Sequence, residues 1–324
     1  MASALGAVTA RPHLHPALAL ALPAATARKF LFRSKAASTM DAASASSPGS
    51  EKKTTTVFVA GSTGRTGKRV VEKLLAKGFG VVAGTTDLQR ARGSLPLDPN
   101  LRLVSLSCSA CVKWANFDWS VDGGADGLMV VRIGVVVWLK VTADVTEGAD
   151  KLVEAVRGVD AVVCATGFRR SFDPFAPWKV DNFGTVNLVE ACRKAGVTRF
   201  ILVISILVNG AAMGQLLNPA YIVLNLLGLT LVAKLQAEKH IRRSGINYTI
   251  VRPGGLTDQP PTGNIVMEPE DTLYSGSISR DQVADVAVEA LLCPESSYKV
   301  VEIVARADAP NRPLQDMFAA IKQN

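Results

Sequence analysis

Gly61-Ser62-Thr63-Gly64-Arg65-Thr66-Gly67 is the stretch best suited to chemistry, because glycines at this spacing let the chain turn sharply and bring amide groups against an anion. Gly61 permits the turn, Gly64 the close approach of backbone to a pyrophosphate, and Gly67 the close packing of a helix on a sheet. Ser62, Thr63, Arg65 and Thr66 complete the expected cradle. The flanks place this loop between two elements. Thr56-Val57-Phe58-Val59-Ala60 reads as a strand, and Val70, Val71, Leu74 and Leu75 fall on one face of a helix that Gly78 ends. A second strand, 80–84, follows at the right distance for a dinucleotide-binding unit. The alternative is a tight strand-to-helix turn without a ligand.

Composition removes competing chemistries. Only three histidines occur, and two of them, His13 and His15, lie in the first fifty residues. A Ser-His-Asp or Cys-His hydrolase, or a histidine-rich metal site, would therefore depend on His240 alone, in a helical run whose simplest reading is a solvated face. Five cysteines at irregular spacing suggest a reduced compartment. Cys108 and Cys111 have C-x-x-C spacing but no second pair to complete a zinc site. The formal charge is +8, and half of it sits in residues 1–50. No nucleic-acid partner is expected, since that needs a concentrated basic face.

Residues 1–40 contain no acid and mix Ala, Ser, Thr and Pro with scattered Arg and Lys, the composition of a transit peptide. Residues 1–50 are read as transit peptide and linker, addressed to the chloroplast, with the mitochondrion as the alternative; an unstructured tail without an address is the plainer reading.

The G-x-x-G-x-x-G spacing resembles the atypical and extended short-chain dehydrogenase/reductases, and the likeness continues along the chain. Asp144-Val145 follows a third strand, Val159 to Gly167 looks like a fourth strand with its cofactor-facing loop, and Val180 to Leu188 resembles the helix after it. Residues 199–205 and 248–255 match strands five and six, and 278–284 opens a late helix. Within the group the chain looks most similar to the NmrA-like and flavin-reductase-like proteins of plant chloroplasts, which include a redox-sensing component of the chloroplast import machinery. The resemblance implies an α/β fold, a single doubly wound parallel sheet of the Rossmann type over 52–324. It also implies cofactor contacts from Asp144, Val145, Ala165, Thr166, Gly167, Pro253 and Gly254, with 256–277 as a flap on the substrate side.

Cofactor choice is set where the second strand ends. Asp87 stands 20 residues past Gly67, where an acid would bind the ribose hydroxyls of NAD. The family usually carries Arg at the position of Thr86, holding the 2′-phosphate of NADP. Arg65 or Arg90 can supply that charge instead. NADP(H) is favoured over NAD(H).

Members of the family pair a Tyr with a Lys four residues later, and a Ser on the neighbouring strand end. Lys234 matches the lysine and Ser205 the serine, but the tyrosine position is Thr230, whose hydroxyl is too weak an acid near neutral pH. Three readings follow: a reductase passing hydride to a flavin- or quinone-like acceptor with solvent as proton source, a module whose NADP(H) occupancy reports redox state, or an inactive cofactor-binding domain. Asp173, Lys179, Asp181 and Arg252 are placed near the site without a role as acid or base.

From 200 to 233 there is no charged residue. Its longest unbroken apolar part, 221–233, is too short to span a bilayer. Such a surface suits a dimer partner, a lipophilic substrate or peripheral membrane contact; the sequence sets no oligomeric state.

One block does not fit. Residues 105–141 hold three of the four tryptophans and interrupt a strand that 101–104 begins and 142–145 would continue. A retained intron explains an in-frame block foreign to the fold, and a lineage-specific insertion is the alternative. Sequencing the transcript decides, because a dominant message without the block supports retention.

Overall fold

The computed structural model describes residues 54–106, 148–167, 175–226 and 228–322. Asp144, Val145, Asp173 and all but two residues of the anomalous block lie outside them.

The chain alternates strand and helix: β1 (Thr56–Ala60), α1 (Arg65–Ala76), β2 (Gly80–Thr85), α2 (Leu88–Ser94), β3 (Leu101–Ser105), then α3 (Ala149–Val156) and β4 (Ala161–Cys164). A wide π-type helical segment, Trp178–Gly184, runs into α4 (Thr185–Ala195), followed by β5 (Arg199–Val203), α5 (Pro219–Leu226), α6 (Thr230–Arg243) and β6 (Asn247–Pro253). β3-β2-β1-β4-β5-β6 lie side by side in that order and all in parallel, which is the doubly wound arrangement expected from the sequence. The order in which strands are added to the sheet reverses between β1 and β4, so a crevice opens beyond their carboxyl ends.

Both faces of the sheet are buried. Phe58 and Ala60 of β1 point into one apolar cluster, with Leu188 of α4 and Ile241 of α6, while Val57 and Val59 point into another, with Val70 and Leu74 of α1. A strand sandwiched this way needs apolar residues on both alternations, which is why β1 reads as a continuous apolar run.

After β6 the structure departs from the expected flap. β7 (Gly255–Thr257), β8 (Asn264–Pro269) and β9 (Ser277–Ser279) come before α7 (Arg280–Leu292), β10 (Lys299–Arg306) and α8 (Leu314–Ala320). β10 extends the sheet parallel to β6, and β8 pairs antiparallel with β10 from Val301↔Pro269 to Arg306↔Asn264. The middle of the expected flap, Asn264–Pro269, is thus built into the sheet, because the backbone groups on β10's outer edge take it as a partner.

The first two residues of the 105–141 block are described. Ser105 pairs with Thr85 as the last residue of β3, the Leu106 amide donates to the Thr85 carbonyl at 2.6 Å, and the Leu106 side chain is buried. β3 thus runs to Ser105, and residues 142–145, expected to continue it, lie outside the described residues.

The described cysteines, Cys164, Cys192 and Cys293, are free and buried. Burial pushes the Cys164 and Cys192 thiols up, and burial followed by the Glu295 carboxylate pushes Cys293 up to about 11. In the native protein these three are expected to resist iodoacetamide at about pH 8, since the thiolate is the reacting form. Peptide mass spectrometry checks this, and rapid native labelling of Cys164 would contradict it.

Candidate active site

The glycine loop leaves β1 at Gly61, whose φ of +76° a side chain would strain. A Cβ there would meet the Ala165 carbonyl oxygen at 2.8 Å, and one on Gly67 would meet the Gly61 carbonyl oxygen at 2.2 Å. Two backbone approaches therefore demand glycine, pressing the loop against the end of β4 and α1 against the loop. Ser62 is fully buried, its hydroxyl donating to the Gly84 carbonyl at 2.9 Å, and Thr63 Oγ1 lies 3.3 Å from Thr85 Oγ1. Gly61, Ser62 and Gly67 shape the loop; Thr63, Gly64, Arg65 and Thr66 line a cavity of about 560 Å³ in front of it.

Ala165, Thr166 and Gly167 supply the wall beyond β4, and Val203, Ile204 and Leu256 supply apolar surface. Arg90, Lys234 and Arg280 join Arg65 around the opening, and among the described residues no carboxylate belongs to the lining. The amino end of α1, which opens here, has no side-chain cap and no acid in its first turn. Unsatisfied amides, the positive end of the helix dipole and four cations converge on a space that suits an anion. The chain's donors thus fit the phosphates of a dinucleotide.

Lys234 is mostly buried, its side chain 13% exposed, and Nζ donates to Asp181 Oδ1 at 2.9 Å. Asp181 comes from the π-type segment, with its side chain 2% exposed and Oδ2 without a hydrogen-bond partner. The sequence reading placed Asp181 nearby without a role; the structure makes it the partner of Lys234. Thr230 is buried one turn before Lys234 on α6. That helix starts against the Asn225 side chain, which accepts from the Leu231 amide at 3.1 Å.

Other expected residues stand apart from the cavity lining. Thr86 is exposed beside Asp87, whose carboxylate caps α2 by accepting from the Arg90 amide at 3.0 Å. Asp87 is thereby drawn into holding the helix, and Arg90 is the residue at the cavity. Ser205 sits half-buried between Ile204 and Ile206, whose amides bind Val251 and Pro253 carbonyls, and it is not part of the lining. Pro253 and Gly254 are tied into the sheet, the Gly254 amide donating to Ile303 at 2.9 Å, and Leu256 reaches the cavity instead. Arg252 serves a buried ion network with Glu238, Asp271 and Glu302, away from the cavity. Lys179 stands in the π-type segment two residues before Asp181 and does not line the cavity. His240 pairs with Glu190 at 2.8 Å on a half-exposed helix face, in keeping with its simplest reading.

Sequence reasoning assigned nothing to Arg280, although it recognised the helix that Arg280 opens. Arg280 donates to Asp258 at 3.1 Å, and Asp258 also takes Arg65 at 2.6 Å and stands 3.6 Å from Arg69. Desolvation, then the field of Arg65, lowers the Arg280 pKa; desolvation opposes ionisation of Asp258, but the Arg65 hydrogen bond and the fields of Arg280, Arg65 and Arg69 together hold it below the usual carboxylate range.

A family model described as NAD(P)H-binding matches residues 139–294, beginning past most of the foreign block. An uncharacterized chloroplastic protein of Arabidopsis thaliana is 61% identical over 272 residues, covering 83% of this chain and 84% of its own length. The chain belongs to the NAD(P)-binding atypical short-chain dehydrogenase/reductases. This reductase-family chain is also 35% identical to the chloroplastic protein TIC 62 of Pisum sativum, covering 82% of this chain but only 46% of that longer protein. Among solved structures, an anaerobillin reductase of Escherichia coli shares the fold at a TM-score of 0.56 and 20% identity, over 79% of this chain and all of that one.

α5 adds an unusual surface. None of its residues is buried, and Leu217, Leu226 and Val223 are 88%, 81% and 56% exposed on it or beside it. Among the described residues no single helix is long and apolar enough to cross a membrane.

Proposed function

We propose that this chain is an NADP(H)-dependent reductase of the chloroplast that passes hydride to a lipophilic, flavin- or quinone-like acceptor without the family's tyrosine. The observation that carries the reading is the set of four cations, Arg65, Arg90, Lys234 and Arg280, around an uncapped helix end, which outnumber the two carboxylates, Asp258 and Asp181, paired with three of them. Chloroplast placement is supported by the relatives' names and by the acid-free N-terminus.

The reduced nicotinamide, when bound, supplies the hydride. The residues around it do the rest. Thr63, Arg65 and Thr66 would bind pyrophosphate through their amides, and Arg90 would meet the 2′-phosphate. Lys234, steadied by Asp181, holds the nicotinamide ribose. Val203, Ile204 and Leu256 keep water from the reacting face, and the exposed apolar surface of α5 offers a lipophilic acceptor, or the membrane holding it, a place to approach. With a threonine at position 230 the proton comes from solvent. The second reading, a non-catalytic module that reports NADP(H) occupancy, is favoured by that same buried Thr230.

The test is titration with NADPH and NADH by fluorescence, followed by nicotinamide absorbance with flavin and quinone acceptors. Binding with turnover supports the reductase; tight binding without turnover over the panel favours the module. Arg90→Ser is expected to weaken NADPH about tenfold, roughly 1.4 kcal/mol, while leaving NADH nearly unchanged. Equal losses for both nucleotides would overturn the role given to Arg90.

A further inference from the structure

We infer that Arg280 is a pyrophosphate-binding residue of the cavity, and that Asp258 is an internal anion occupying the arginines until a dinucleotide displaces it. The inference rests on the NAD(P)H-binding reading and deepens it. It comes from a charge count around one carboxylate. Arg65 and Arg280 both contact Asp258 Oδ2, at 2.6 and 3.1 Å, and Arg69 stands 3.6 Å from Oδ1. Three guanidinium groups thus share one carboxylate, and the unbalanced charge lies at the cavity mouth, since Arg65 and Arg280 are part of its lining.

These residues come from three separate parts of the chain. Arg65 is the first residue of α1, beside the uncapped amides of the glycine loop. Arg280 is the first residue of α7, a helix that packs along α1, and its side chain is only 10% exposed. Its backbone is fixed by the turn before it, where Ser279 and Gln282 cap each other reciprocally. Arg280 is therefore held in place beside the position where a pyrophosphate sits on the amino end of α1. Asp258 is different. It follows β7 in an exposed segment, its side chain is 41% exposed, and Arg65 opposite is 70% exposed. Ion pairs that wet are weak and screened. A diphosphate with two charges and several acceptor oxygens outcompetes a single carboxylate for a planar guanidinium.

The geometry gives opposite signs to two substitutions in contact with each other. Removing the arginine loses a ligand contact, whereas removing the carboxylate loses only a competitor. The probes are NADPH, NADH and ADP-ribose, titrated by calorimetry, which requires no turnover. Arg280→Gln is expected to weaken all three by a similar factor, about tenfold, since all carry the pyrophosphate. Arg280→Lys, which keeps the charge without the fork, is expected to fall between wild type and Arg280→Gln. Asp258→Asn is expected to tighten all three, about two- to fivefold, the size of an exposed pair. Reduced nicotinamide mononucleotide, which has a phosphate but no pyrophosphate, is expected to respond less to each change.

Wild-type binding with no change in Arg280→Gln and Arg280→Lys, both folded by circular dichroism, overturns the role of Arg280. Weaker binding in Asp258→Asn overturns the competing carboxylate. A selective loss of NADPH over NADH in Arg280→Gln would move Arg280 to the 2′-phosphate and also overturn the assignment. If wild type binds none of the three probes, the dinucleotide reading fails first, and that failure is visible before any variant is compared.

Discussion

Arg252→Gln is expected to destabilise the fold by about 3–5 kcal/mol, the usual consequence of leaving buried carboxylates without their cation. Arg252 is 1% exposed on β6 and grips Glu238 with two nitrogens, at 2.9 and 2.7 Å. Its third nitrogen reaches Asp271 at 2.6 Å and Glu302 at 3.1 Å. Glu302 is fully buried and also accepts the amides of Asp271, Thr272 and Leu273. One guanidinium therefore joins α6, β6, β10 and the segment after β8. Partners outweigh desolvation and push the Arg252 pKa above its ordinary value, so it stays charged. Removing it leaves Glu238 with Arg242 and Glu302 with neutral donors only. Urea unfolding measures the loss, and thermal unfolding is expected to fall by roughly 2–4 °C per kcal/mol for a domain of this size. A loss below about 1 kcal/mol would mean that amide donors alone satisfy Glu302.

Arg252 also shows where reading the sequence stopped short. It stands just before Pro253-Gly254-Gly255, a stretch that resemblance ties to the cofactor, so proximity along the chain suggested the site. Alternation along β6 sends it elsewhere: Val251 points into one apolar cluster and Ile250 into the other, and Arg252 shares the face of Ile250 with α6. The partners that fix its role, Glu238, Asp271 and Glu302, come from three elements that no local pattern joins. By contrast, β1, the glycine loop, α1 and β2 were legible because each depends on local periodicity and on glycines whose need is steric. The Gly67 contact with Gly61 and the Gly61 contact with Ala165 bear this out at the atomic level.

β8 and β10 were harder. They are held by pairing across the sheet edge, and 256–263 is rich enough in Pro and Gly to read as a loop. Lys234 was recognisable from its resemblance to the family's lysine, yet its partner Asp181 lies 53 residues away and reaches it from the π-type segment. Segments of that kind recur at functional sites because the extra residue per turn re-aims a side chain.

Lys234→Met is expected to weaken NADPH and NADH alike by about 10- to 150-fold, the equivalent of about 1.5–3 kcal/mol for hydrogen bonds from a charged donor. An ammonium has three donors and Asp181 engages one of them, so the others are available to the cavity that Lys234 lines. The same substitution strands Asp181, whose Oδ2 already has no partner, so part of the effect is lost stability. Asp181→Asn separates the two contributions. It keeps the lysine and removes the opposing charge, raising the positive field on an anionic ligand while loosening the hold on Nζ. Dinucleotide affinity is then expected to stay level or improve, and turnover with a working acceptor to fall about tenfold or more, because a misplaced donor costs rate before it costs binding. Parallel loss of affinity and turnover in Asp181→Asn would show instead that the carboxylate only keeps α6 and the π-type segment together.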